Sequence, residues 1–80
     1  MNKDTEQKRN LGEQPIAAIM MKHGLKAHDL VEASRVPMTH KLVARACKGR
    51  RLTVHSKKVV LEALQIATEY PYKVKETFNY

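Results

Sequence analysis

Eighty residues allow one small domain, because compact domains begin near about 50 residues, and so short a chain leaves little room for an enclosed substrate cavity beside its core. Hydrophobic residues make up 42% and aromatics 5%, with no Trp, which favours aliphatic helical packing over a β-sandwich. Fifteen basic residues against eight acidic ones give a charge of +7, and a single Cys excludes both an internal disulfide and a thiolate zinc site.

No apolar run approaches the roughly 18 residues of a membrane span, and the opening MNKDTEQKRN lacks the apolar block of a signal peptide. A reduced cytoplasm is the expected setting. Residues 1–13 are polar and aperiodic and read as a disordered tail. The next stretch, residues 14–70, carries helical periodicity throughout. Pro15 suits a first helical position, Ile16, Ile19, Met20 and His23 share one face, and Gly24 is a natural stop. That face is expected to meet a core rather than a membrane surface.

Leu25 opens a second helical segment, in which Ala27, Leu30, Val31 and Ser34 keep the rhythm i, i+3, i+4, i+7. Residues 36–39, VPMT, read as a turn: Pro37 biases Val36 to extended backbone, and Thr39 is a good N-cap. A third helix follows over residues 40–48, with Leu42, Val43 and Ala46 inward and Gly49 as its stop. Leu52 is placed to tuck under the loop that follows. Thr53 or Ser56 caps a fourth helix, whose apolar face holds Val59, Val60, Leu61, Ala63, Leu64 and Ala67. Pro71 breaks the chain, and in residues 71–80 the pair Val74 and Phe78 allows a tail or a short fifth helix. The fold class read from this pattern is all-α, a small bundle of four to five helices.

Charge is unevenly placed. Between Ala33 and Leu61 there is no acidic side chain, yet Arg35, Lys41, Arg45, Lys48, Arg50, Arg51, Lys57 and Lys58 all fall there. A confined basic block of this kind attracts polyanions, nucleic acid above all. Two short helices joined by a tight turn can deliver the second of them to the DNA major groove, one face held by the core and the other offered to base edges. By that division of labour Met38, Thr39, His40, Lys41 and Arg45 are the base-edge candidates. Phosphate contacts fall to Lys48, Arg50, Arg51 and Lys57, with Thr53 and Ser56 at a helix start as a further anion site. His28, His40 and His55 lie near the same face, so mild acid is expected to strengthen binding.

The run LKAHDLVEASRVPMTHKLVARACKGRRLT, residues 25–53, followed by VVLEAL, residues 59–64, resembles the lambda-repressor-like helix-turn-helix domain of Cro and the phage repressors. Leu25, Leu30 and Val31, Val36 and Pro37, Gly49 with Arg50 and Arg51, and Ala63 with Leu64 hold the places of that pattern. The resemblance covers half of the chain. It implies an all-α bundle, sequence-specific binding of double-stranded DNA and a role as a small transcriptional regulator. The family's turn glycine is missing, so this turn must close without a left-handed residue.

Other functions have less in the sequence. No carboxylates or histidines are paired for acid–base chemistry, and no two His sit at i, i+4 for chelation. No enzymatic activity, metal, cofactor or small-molecule substrate is therefore expected. Cys47 has Lys48 beside it but reads as a small buried hydrophobe. RNA is the nearest competing ligand for the basic block. A partner-docking or antitoxin-type role would use the apolar tail, Tyr70, Tyr72, Val74, Phe78 and Tyr80, although that tail could equally complete the core. A homodimer reading two half-sites is a further option.

Overall fold

In the computed structural model, which describes residues 11–80, five helices follow in order: α1 Pro15–Lys22, α2 Ala27–Ala33, α3 His40–Lys48, α4 Val54–Thr68 and α5 Val74–Thr77. The described residues contain no strand, so the fold class is all-α. No helix among them is long and apolar enough to cross a membrane.

Local chemistry sets the helix ends. The Thr39 Oγ1 accepts the Leu42 N–H at 3.1 Å and opens α3, and the Thr53 Oγ1 accepts the Ser56 N–H at 3.1 Å and opens α4. At α2 the reciprocal half of a capping box does the work, with the Lys26 N–H donated to the Asp29 carboxylate at 2.7 Å. Gly49 closes α3 in the left-handed region, at φ 89°, and both its own N–H and that of Arg50 return to the Arg45 carbonyl.

Gly49 is also where the first described residues dock. It is buried, and a Cβ there would overlap the Gly12 carbonyl. The Leu11 N–H donates to the Gly49 carbonyl at 2.8 Å, and the Gln14 N–H to the Cys47 carbonyl at 2.9 Å. Residues 11–13 are therefore laid against the end of α3, and the expected disordered tail does not extend to them. Carbonyls at a helix C-terminus lack intrahelical donors, and this segment supplies them. The rest of that expectation, for residues 1–10, lies outside the described residues.

The core joins Ile16 and Met20 of α1, Leu30 of α2, Val43 and Ala46 of α3, and Val60, Ala63 and Leu64 of α4. α4 packs most extensively on α2 and also touches α3 and α5. The C-terminal segment completes this core: Phe78 and Thr77 are fully buried, and α5 lies on α1 and α4. Gln14 is the buried polar link. Its Nε2 donates to the Gly12 carbonyl at 2.8 Å, and its Oε1 accepts the Asn79 N–H at 2.7 Å, so one side chain ties the first and last described segments together.

α4 ends on a non-glycine left-handed residue, Glu69 at φ 55°, with the Tyr70 N–H reaching the Gln65 carbonyl. An L-residue there costs about 1 kcal/mol or more. Glu69→Gly is expected to raise unfolding stability by about 0.5 kcal/mol once glycine's extra chain entropy is subtracted. A urea melt checks this, and a lower midpoint would mean that the Glu69 side chain itself contributes.

Candidate nucleic-acid interface

Six residues, 34–39, join α2 to α3, more than the roughly three or four of a common helix-turn-helix. None of them has positive φ. The Ser34 side chain closes the turn instead, its Oγ donating to the Val36 carbonyl at 2.7 Å and accepting the Val36 N–H at 3.3 Å.

Met38, read as a base-edge candidate, is buried at 8% exposure and belongs to the core cluster. It cannot reach a base. Met38 precedes the Thr39 cap and Val43 stands at the fourth helical position, the two places of a hydrophobic staple. That spacing was available in the sequence and is the signal that identifies Met38 as core. Thr39 is exposed, but its hydroxyl oxygen is engaged as the α3 cap.

The outer face of α3 matches the expectation more closely. Lys41, Ala44, Arg45 and Lys48 fall at i, i+3, i+4 and i+7, are all exposed, and with Arg50 line an open hollow. Arg50 joins them because its N–H returns to the Arg45 carbonyl at 3.0 Å, which folds the chain back beside Arg45. Arg51 is exposed on the same loop. Among the described residues none of these five cations has a carboxylate within ion-pair distance. A polyanion laid along this face would be attracted by all five.

Nearer the start of α3, His40 is exposed and its ring stacks on that of His28 from α2, centroids 5.7 Å apart and planes 9° from parallel. Glu32 lies one helical turn on from His28, with 3.3 Å between its carboxylate and the His28 Nε2. His55 is exposed at the start of α4.

The other phosphate candidates are differently placed. Lys57 is turned away from any phosphate role: its Nζ donates to the Tyr80 main-chain oxygen at 2.6 Å and sits 4.3 Å from the Tyr80 ring centroid. The apolar tail provides that acceptor, which sequence spacing does not show. Thr53 and Ser56 are bonded to each other, hydroxyl to hydroxyl at 3.1 Å, and the N–H groups of Ser56 and Lys57 are held by Thr53. This internal cap engages the Thr53 hydroxyl and the Ser56 N–H, two of the donors an anion could have used there. Cys47 is half-buried, with its Sγ 3.6 Å from the Met20 sulfur. Burial, then the Glu13 carboxylate, push its thiol pKa up, so Lys48 does not activate it.

No family model, curated protein or solved structure compared with this chain matches it.

Proposed function

We propose that this chain binds double-stranded DNA sequence-specifically, as a small transcriptional regulator of lambda-repressor-like helix-turn-helix type. In this reading α3 enters the major groove, which is wide enough for a helix, and the loop at residues 49–51 rests on phosphates. The observation that carries it is the stripe Lys41, Arg45 and Lys48 continued by Arg50 and Arg51, with no carboxylate within ion-pair distance among the described residues. A solubilising surface normally mixes both signs of charge, whereas this one does not.

His40, Lys41 and Arg45 are the base-edge residues of the proposal. Ala44 between them keeps the helix backbone free to approach closely. Lys48, Arg50 and Arg51 make sequence-independent phosphate contacts, which set position rather than specificity.

Fluorescence anisotropy with a labelled duplex at several salt concentrations tests this. With Lys48, Arg50 and Arg51 on phosphates, log affinity falls against log salt with a slope near −3. No binding at about 50 mM salt, where phosphate contacts are strong, overturns the reading. Tighter binding to an RNA duplex of the same sequence would move the interface to A-form helices.

A further inference from the structure

The last described residue reaches back to the loop that carries Arg50 and Arg51. The Tyr80 hydroxyl accepts the Leu52 N–H at 2.9 Å and donates to the Arg50 carbonyl at 3.3 Å. The residue itself is held in place. Its main-chain oxygen takes the Lys57 ammonium, its ring lies under that same ammonium, and the buried Phe78 ring meets it edge-on at 5.7 Å. At the other end of the described chain the Leu11 N–H holds the Gly49 carbonyl.

The backbone of residues 49–52 is thus fastened from both ends of the described chain. Meanwhile the Arg50 and Arg51 side chains stay exposed. The Tyr80 bonds are not required to end or start a helix, because Gly49 and Arg50 close α3 and Thr53 opens α4 without them.

We propose that Tyr80 is a positioning residue for the phosphate-binding loop, holding residues 50–52 in the geometry that a DNA backbone meets. This inference rests on the DNA-binding reading above. A guanidinium that bonds a phosphate loses conformational freedom, and a loop ordered beforehand reduces what binding must still freeze. Lys57 acts in the same device: its charge anchors Tyr80 and does not contact DNA. Phosphates carry no sequence information, so loosening the loop weakens binding to every duplex alike.

Tyr80→Phe in the full chain is the test, because it keeps the ring and the main-chain oxygen and removes only the two hydroxyl bonds. Amide exchange at Leu52 is expected to accelerate, with melting lowered by a few degrees. Duplex affinity is expected to fall roughly three- to tenfold, equally for a preferred and a scrambled sequence. In an R50Q/R51Q background the same substitution should cost no further affinity, since the groups it positions are gone. An equal loss in that background would show a general structural role and overturn the proposal, as would unchanged affinity despite faster Leu52 exchange. Unchanged Leu52 exchange removes the clamp itself. Absence of duplex binding by the unaltered protein at low salt would instead remove the DNA reading, and with it the loop's role.

Discussion

Phe78→Ala is expected to bring this domain close to unfolding. Phe78 is only 2% exposed and forms part of the one core cluster, although it lies near the chain's end and outside any helix. Replacing a buried Phe by Ala typically costs about 3–5 kcal/mol, from lost transfer energy and the cavity left behind. A domain of this size has a total stability of about 4–10 kcal/mol. The loss therefore consumes much of the margin, and the thermal midpoint should drop by about 15–30 °C in a circular-dichroism melt. A shift under about 5 °C would mean that the segment docks too weakly to count as core. Four-residue α5 has little stability of its own, so it should melt together with α1 and α4, on which it lies.

Changing Arg45, Arg50 and Arg51 together to Gln is expected to do the reverse, leaving the fold and removing the binding. All three are exposed and lack a carboxylate partner among the described residues, so the melt should move little or rise slightly as repulsion falls. Each lost phosphate contact lowers the salt slope by about 0.9, which near 0.1 M salt is roughly an eightfold effect per contact relative to 1 M. Losing the Arg50 and Arg51 phosphate contacts and the Arg45 base contact together gives an affinity loss of roughly two to four orders of magnitude and a slope near −1. An anisotropy titration reads both numbers. Intact affinity in the triple variant would move the interface away from α3 and its loop.

These two changes separate what was legible in the sequence from what was not. Helix α3 could be read to its end residues, because Thr39 and Gly49 are local devices that act on their immediate neighbours. The same holds for Pro15, Gly24 and the Thr53 cap. The face of α4 was legible too, since Val60, Leu61, Ala63 and Leu64 are apolar and periodic.

Where the structure departs from the sequence reading, the deciding partner is often distant in sequence. Lys57 looked like a surface cation until the Tyr80 main-chain oxygen arrived 23 residues later. Gln14 carries no local signal of its burial, which comes with its bond to Asn79, 65 residues on. Residues 11–13 carry no apolar pattern, and what orders them is the set of open carbonyls at the end of α3. Met38 differs: its staple position before the Thr39 cap is local and marks it as core. On the candidate face, Lys41, Arg45, Lys48, Arg50 and Arg51 needed only helical spacing and one glycine turn to come together.

We propose above that α3 and the loop after it form a DNA-binding face. The most direct measurement is an amide-resolved NMR titration with a mixed-sequence duplex of about 20 base pairs, long enough for two turns of contact, at low and moderate salt. Salt-sensitive shifts should concentrate in residues 40–51, with α1 and α5 undisturbed. Signals in residues 40–51 that stay still even at low salt would exclude this face from DNA binding.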